Sequence, residues 1–152
     1  MSSYFAEIVW QRNEQNFIAN EYSRAHEWRF DGGVTVPASA SPHIVPLPWS
    51  VEANVDPEEA FAASLASCHM LFFLSIAAKK KIQVERYTDN AEAIMEKNSA
   101  GKMAITRVIL KPQIEFSGDN LPTQETIQKL HHLAHESCFL ANSVKSEVVV
   151  EC

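Results

Sequence analysis

Two cysteines in apolar surroundings are the residues of this chain best suited to do chemistry. Cys68 lies near the middle of the apolar segment FAASLASCHMLFFLS, residues 61–75, and Cys138 ends the segment HHLAHESC. A cysteine attacks electrophiles and becomes oxidised as the thiolate, which forms when the surroundings lower its pKa. A free cysteine is also a common small core residue. The sequence therefore leaves two interpretations open, two inert core thiols or a reactive pair.

A long helix is predicted to carry Cys68 in the segment DPEEAFAASLASCHMLFFLSIAAKKK. Asp56 suits the N-cap, Pro57 suits the first helical position, and the lysines at 79–81 suit the negative end of the helix dipole. Because the helix is apolar on nearly all sides, we expect neighbours to bury most of its circumference. A transmembrane span is the competing interpretation, since about 20 apolar residues cross a bilayer. The polar interruptions of the segment and the strand patterns elsewhere favour a core helix.

A second helix is predicted over TQETIQKLHHLAHESC, residues 123–138, after Pro122. With 3.6 residues per turn, Ile127, Ala134 and Cys138 lie on one apolar stripe, and the opposite face is polar. Both helices thus direct a cysteine towards the interior, where the two thiols can meet.

The histidines of the second helix offer an alternative site. His131, His135 and Cys138 lie at i, i+4 and i+7 on one helical face, and His69 follows Cys68 directly. These side chains are competent zinc ligands, so a structural zinc site is a possible interpretation. No HExxH or CxxC motif supports it.

Alternating and β-branched segments predict a sheet around these helices. Strands are predicted over residues 4–10, 16–19, 82–97, 102–116 and 146–151, the first two as a hairpin. The proline-rich residues 34–50 predict an irregular loop. We therefore expect one α+β domain over residues 1–152, with strand-rich antiparallel sheets around a long buried central helix and a second helix.

Composition and charge narrow the class of protein. The chain has 13 Lys and Arg against 19 Asp and Glu, a net charge of −6, and no dense basic block. It lacks the concentrated positive field that nucleic acid or an anionic membrane surface requires. Three cysteines without CxxC spacing are typical of a reducing compartment, and the N-terminus shows no signal-peptide pattern. These features predict a cytoplasmic protein.

A thiolate at Cys68 requires a cation from outside its own helix. Desolvation in an apolar site raises the pKa of a cysteine, and the positive helix dipole fades within the first turn. Among the five arginines, Arg24 and Arg29 lie next to the proline-rich loop. A buried arginine needs a carboxylate partner, for which Glu58 is a candidate.

The spacing of Glu58 and Cys68 constrains where this cation comes from. Ten residues separate them, which is about 15 Å along a straight helix. One arginine does not easily reach both, so either the helix bends or a second subunit supplies the arginine and the glutamate. A symmetric dimer is the preferred interpretation, because it also covers an all-round apolar helix.

These residues resemble the OsmC/Ohr family, the osmotically inducible and organic hydroperoxide resistance proteins. The segment DPEEAFAASLASC resembles the family motif in which Asn/Asp-Pro-Glu precedes the peroxidatic cysteine, here Cys68. The segment HESCFLANSVKSEVVVE places Cys138 at the resolving cysteine, before a final strand. The resemblance covers nearly the whole chain. It implies an intertwined α+β homodimer with active sites at the subunit interface, and an antioxidant peroxidase that acts in the oxidative stress response.

The resemblance also implies a role for each site residue. Cys68 would attack an organic hydroperoxide and become a sulfenic acid, and Cys138 would condense with it to a disulfide. An external dithiol of the lipoyl type would reduce that disulfide, with no bound cofactor or metal. Arg24 would activate Cys68 and pair with Glu58, while SRAHEWRF offers Arg29 as a rival.

The chain departs from the family pattern after the resolving cysteine. Family members usually have Pro and a Ser there, whereas this chain reads Phe139, Leu140, Ala141. A non-catalytic protein of the same fold, which binds an apolar ligand or senses oxidants, is therefore the alternative function. Phe61 and Trp49 are expected to line an apolar substrate site. We expect His26 and His69 to be structural residues that form hydrogen bonds. Cys152 is expected to be exposed and to take no part in the chemistry.

Overall fold

The sequence determines locally where the central helix begins. In the computed structural model, which describes residues 1–152, helix α1 spans Pro57–Lys79. The Glu59 backbone N–H donates to Asp56 Oδ1 at 2.8 Å, and the Asp56 N–H donates to Glu59 Oε1 at 3.0 Å. This reciprocal capping box satisfies two backbone donors that the first turn leaves free. The predicted helix and its N-cap are confirmed.

The chain divides into two compact units, residues 1–60 and 61–152. The first unit holds a three-stranded antiparallel sheet in the order β1 (Ala6–Val9), β2 (His26–Phe30) and β3 (Thr35–Ala38). The strand β3 lies in the proline-rich segment predicted as irregular, and Pro37 is tolerated there because β3 is an edge strand.

The predicted hairpin of residues 4–10 with 16–19 is wrong. Residues 17–20 form turns, and β1 pairs with β2 instead, with Ile8 opposite Trp28. The chain turns because Asn13 and Asn20 adopt positive φ values of 53° and 62°, which asparagine tolerates better than most residues. Residues 31–33 form the turn between β2 and β3.

The second unit contains the other strands and the second helix. These are β4 (Gln83–Asp89), β5 (Glu92–Lys97), β6 (Met103–Leu110), β7 (Pro112–Ser117), α2 (Gln124–Ser137) and β8 (Glu147–Val150). β4 pairs with β7 and β5 with β6, both antiparallel, whereas β8 joins β6 in parallel. The two long predicted strands are each divided in two. Pro112 begins β7, a position where its missing N–H costs no ladder bond.

Helix α2 begins and faces inward as predicted. The Thr126 N–H donates to the Thr123 side-chain oxygen at 3.2 Å and so caps the helix. Leu130, His131 and Ala134 are buried, and Cys138 is the C-cap residue that follows the helix. The inward stripe of the second helix is therefore confirmed.

Helix α1 contributes to two core clusters of the second unit. Phe73 and Ala77 pack with Ile82, Leu130 and Ala134, and Leu65 packs with Val108 and Leu110. By length and composition α1 also meets the requirement for a membrane span, a test that the core helix of a soluble protein passes too. Only 28% of its most apolar window is buried, so one chain does not supply the cover that the sequence predicts.

Candidate functional site

The two helices bring the predicted thiols together. Cys68 is half-buried on α1, and Cys138 is 1% exposed at the end of α2. Burial raises the pKa of Cys138, and a side-chain hydrogen bond with Cys68 raises it further. The Ala141 backbone N–H donates to Cys138 Sγ at 3.4 Å. Cys138 is thus held as a thiol, beside a second thiol that is the more accessible of the two.

A mainly apolar cavity of about 500 Å³ opens beside Cys68. Its walls are the side chains of Leu71, Phe72, Phe139 and Leu140, with the hydroxyl groups of Ser64, Ser67 and Ser75. The rings of Phe72 and Phe139 meet edge to face, with centroids 5.0 Å apart. A cavity of this kind favours a small apolar molecule with one polar group.

Phe139 and Leu140 are cavity residues that the sequence analysis missed. They immediately follow Cys138, where the family usually has Pro and Ser, so the departure itself was the available signal. Phe61, predicted to line the site, packs instead against the cluster of Leu65, Val108 and Leu110. The apolar wall therefore comes from the segment after the resolving position.

Arg24 lies in the wall of a separate cavity within residues 1–60. This cavity has a volume of about 540 Å³, and its lining includes Trp10, Phe17 and Tyr22. The guanidinium group lies 3.6 Å from the centroid of the Tyr22 ring. It donates to the Tyr22 carbonyl at 2.6 Å and to Asn20 Oδ1 at 3.0 Å. These contacts hold a cation at an apolar surface without neutralising its charge.

The predicted ion pair between Arg24 and Glu58 is not formed within one chain. The ion pairs of the chain involve other residues. One carboxylate oxygen of Glu58 is buried and has no hydrogen-bond partner. A buried acceptor without a donor costs free energy. Glu58 is therefore left with an acceptor position that a donor from outside the chain can satisfy.

Arg29, the rival to Arg24, is engaged on the surface of the sheet. Its guanidinium group lies 2.9 Å from Glu27 and 3.4 Å from Glu7. The hydrogen bond with Glu27 raises the pKa of Arg29. Because nearby carboxylates already offset its charge, Arg29 is the poorer source of a free cation.

Two histidines have the hydrogen-bonded roles that the sequence predicts. His69 Nε2 lies 3.0 Å from His131 Nδ1, and the Trp28 indole N–H donates to His26 Nε2 at 3.1 Å. Burial lowers the pKa of both His69 and His131 to about 4, so this pair is neutral at pH 7.

The alternative zinc site is not assembled. No group of three or more His, Cys, Asp or Glu side chains in residues 1–152 is arranged to hold a metal ion. The facing nitrogens of His69 and His131 are occupied by their hydrogen bond to each other. Cys152 is exposed, as predicted.

Comparisons with known proteins identify the family. The model of the OsmC-like protein family matches residues 51–152. The chain is 60% identical to an OsmC-like protein of unknown function from Vibrio cholerae, with a TM-score of 0.98 and coverage of 99% of both chains. A search of the curated proteins returned no match.

More distant structures share the fold alone. The organic hydroperoxide resistance protein of Elizabethkingia anophelis is 18% identical, with a TM-score of 0.72, covering 99% of this chain and 93% of that chain. The organic hydroperoxide resistance protein OhrB of Bacillus subtilis is 21% identical, with a TM-score of 0.63, covering 97% and 96%. The predicted α+β fold and the predicted family are confirmed, and this chain belongs to the OsmC-like protein family.

Proposed function

We propose that this protein is a thiol-dependent peroxidase that reduces organic hydroperoxides through Cys68 and Cys138. The observation that carries the proposal is the half-buried Cys68 in the wall of an apolar cavity, with Cys138 near enough for Cys68 to raise its pKa. An inert core cysteine requires neither a second thiol nor an open cavity. The names of the organic hydroperoxide resistance proteins that share the fold add support.

The proposed reaction is the one that the family resemblance implies for the two thiols. Cys68 loses its proton, the thiolate attacks the distal oxygen of the hydroperoxide, and the O–O bond breaks. The leaving alkoxide takes up one proton, equivalent to the one that Cys68 released, and departs as the alcohol. Cys68 is then a sulfenic acid, which the Cys138 thiol attacks to form a disulfide and release water. An external dithiol, proposed to be of the lipoyl type, restores both thiols by exchange. The apolar cavity favours organic hydroperoxides over hydrogen peroxide, and the proposed compartment is the cytoplasm.

The proposed active form is an intertwined homodimer. Only 28% of the apolar window of α1 is buried in one chain, and Leu71 on this helix is 59% exposed. The unpaired carboxylate oxygen of Glu58 also requires a donor. In the dimer, Arg24 and Glu58 of one subunit would face Cys68 of the other and stabilise its thiolate.

Arg24→Ala should slow the attack of Cys68 on hydroperoxide. In the proposed dimer the Arg24 cation stabilises the anionic form of Cys68, so its loss should lower the rate constant for attack at pH 7 about 10- to 100-fold. The rate of Cys68 alkylation by iodoacetamide at pH 7 measures the reactivity of this thiol independently of the peroxide. Arg29→Ala is the matched control, with a rate within about twofold of the wild type because Arg29 is already paired. A larger loss in Arg29→Ala than in Arg24→Ala would reverse the assignment.

Cys138→Ser should stop the reaction at the sulfenic acid of Cys68. One equivalent of cumene hydroperoxide should then add one oxygen, about 16 Da, and dimedone should trap the product. Intact mass spectrometry after a rapid acid quench detects both the sulfenic acid and its dimedone adduct. Cys152→Ser, which changes an exposed thiol, should still form the disulfide. Disulfide formation that requires Cys152 would contradict the assignment of Cys138.

The alternative function is a non-catalytic protein of the same fold that binds an apolar ligand or senses oxidants. The aromatic cavity of residues 1–60 is the observation that favours it. Multiple turnovers with excess dihydrolipoamide separate the two functions. A peroxidase consumes many equivalents of cumene hydroperoxide per chain, whereas a sensor consumes one and a binding protein none.

A further inference from the structure

The peroxidase reaction leaves one buried polar contact without a role, the hydrogen bond between His69 and His131. It joins α1 to α2, with 3.0 Å between His69 Nε2 and His131 Nδ1. His69 is 1% exposed and His131 is 4% exposed, and their ring planes differ by 11°. Replacing such a buried polar pair by apolar residues is often neutral or favourable for stability. Packing alone therefore does not explain why this contact lies between the helices.

The unpaired nitrogen of His69 indicates where the protons lie. His69 Nδ1 is buried and has no hydrogen-bond partner. Buried N–H groups without an acceptor are rarer in proteins than buried acceptors without a donor. The favoured tautomer of His69 therefore carries its proton on Nε2. His69 Nε2–H then donates to the unprotonated Nδ1 of His131. The unpaired His69 Nδ1 is then an acceptor and not an N–H group. The contact thus has a direction, with a donor on α1 and an acceptor on α2.

This contact lies close to the thiol pair along both helices. His69 directly follows Cys68 on α1, and His131 precedes Cys138 by seven residues, about two turns of α2. Phe73 packs against the His131 ring, with centroids 4.5 Å apart, and forms an apolar cluster with Leu130 of α2. Such apolar contacts are non-directional and do not by themselves fix the register of the helices. A hydrogen bond is directional, so it restricts the sliding and rotation of one helix against the other.

We propose that His69 and His131 are a positioning pair, whose hydrogen bond holds the thiols of Cys68 and Cys138 within the narrow range that a disulfide requires. The Cβ atoms of a disulfide lie about 3.5 to 4.5 Å apart, so a small helix shift separates the sulfurs. The role of the pair in catalysis depends on the proposed peroxidase function. There, it raises the effective concentration of the Cys138 thiol at the Cys68 sulfenic acid, and the condensation releases water.

The test compares variants that remove the hydrogen bond with variants that preserve it. His69→Leu and His131→Leu remove it, whereas His69→Gln keeps a donor near Nε2 and His131→Asn keeps an acceptor near Nδ1. His132→Leu, on the exposed face of α2, is the matched control. The readout is the equilibrium of the Cys68 and Cys138 disulfide with reduced and oxidised dithiothreitol, measured by alkylation and intact mass in a Cys152→Ser background.

We expect each Leu variant to lower the disulfide equilibrium constant at least about tenfold, a shift of about 30 mV in potential. The Gln, Asn and His132→Leu variants should remain within about threefold of the wild type. In a single turnover with cumene hydroperoxide, the Leu variants should form the sulfenic acid at the wild-type rate but release more of it to dimedone. If the histidine pair had a purely structural role, the Leu variants would lose thermal stability, but disulfide formation would not be impaired selectively over sulfenic acid formation.

Equal equilibrium constants in the Leu variants and the wild type would overturn the positioning role. If a Leu variant does not fold, His69→Asn replaces it, because the shorter amide does not reach His131. A disulfide equilibrium constant equal to that of the wild type would again overturn the positioning role. The peroxidase proposal fails separately, when the wild type does not react with hydroperoxide. In that case a tenfold shift against dithiothreitol would still support the positioning pair.

Discussion

Cys68→Ser should abolish the reduction of organic hydroperoxides, with a loss of at least about 10³-fold in rate. The serine hydroxyl group has no accessible anionic form at pH 7 and does not form the sulfenic acid that the second step requires. The change removes the attacking atom and leaves the half-buried site otherwise nearly unaltered. Stopped-flow measurement of cumene hydroperoxide loss in the presence of dihydrolipoamide provides the rate.

The matched variant for this prediction is Cys152→Ser. Cys152 is exposed at the end of the chain, and its loss should leave the rate within about twofold of the wild type, as is usual for surface positions. A Cys68→Ser variant that retains a tenth or more of the wild-type rate would show that another residue attacks the peroxide. In contrast, Cys138→Ser should react with the first equivalent of hydroperoxide at the wild-type rate but show no multiple-turnover activity.

Acidification should destabilise the protein through the buried histidine pair. Burial lowers the pKa of His69 and of His131 from 6.5 to about 4, and for His69 the proximity of His131 and His135 contributes further. The unfolded chain therefore binds more protons than the folded chain between these values. The contribution of the neutral histidine pair to the free energy of unfolding is complete above pH 6.5 and is lost as the pH falls towards 4.

The expected loss is about 3 kcal/mol of unfolding free energy for one histidine, since each unit of pKa is worth about 1.4 kcal/mol. A second proton also breaks the hydrogen bond, because both facing nitrogens would then carry hydrogens. Urea denaturation between pH 7 and pH 4 measures the effect. Other groups titrate in the same range, so the decisive quantity is the difference between the wild type and the double variant His69→Gln, His131→Asn.

The double variant should lose clearly less stability than the wild type over this range, because both titrating rings are absent. His132→Leu should follow the wild-type curve, since His132 is exposed. Identical curves for the wild type and the double variant would contradict the assignment of the acid sensitivity to this pair.

Local patterns in the sequence were sufficient to place the thiols. The start of α1 follows from Asp56 and Glu59, which bond to the backbone of residues only three positions away. The inward direction of Cys138 follows from the 3.6-residue period of α2. Side-chain periodicity thus predicted the buried face of α2, whereas α1 is apolar on nearly all sides and shows no such stripe in its sequence.

Features that depend on distant residues could not be predicted in this way. The hydrogen bond of His69 with His131 joins positions 62 residues apart, and neither local sequence specifies the other. The parallel pairing of β8 with β6 is equally long-range. Arg24 and Glu58 form no pair in one chain, and their proposed contact with Cys68 depends on a second subunit. The spacing of Glu58 and Cys68 favours such a subunit, but one sequence does not specify its contacts.

The segment after Cys138 shows a different kind of limit. Its departure from the family pattern was visible in the sequence, but only the folded chain shows that Phe139 packs against Phe72 at the thiol. A change that weakened the expectation of disulfide chemistry therefore contributes the apolar wall of the cavity.

The central claim is tested most directly by a single turnover of the reduced wild-type protein with one equivalent of cumene hydroperoxide, followed by intact mass and thiol titration. We predict the rapid loss of two thiols and two hydrogens, about 2 Da per chain, with one equivalent of alcohol formed and a linkage between Cys68 and Cys138. Unchanged mass, thiols that remain titratable and unconsumed hydroperoxide would contradict the peroxidase function.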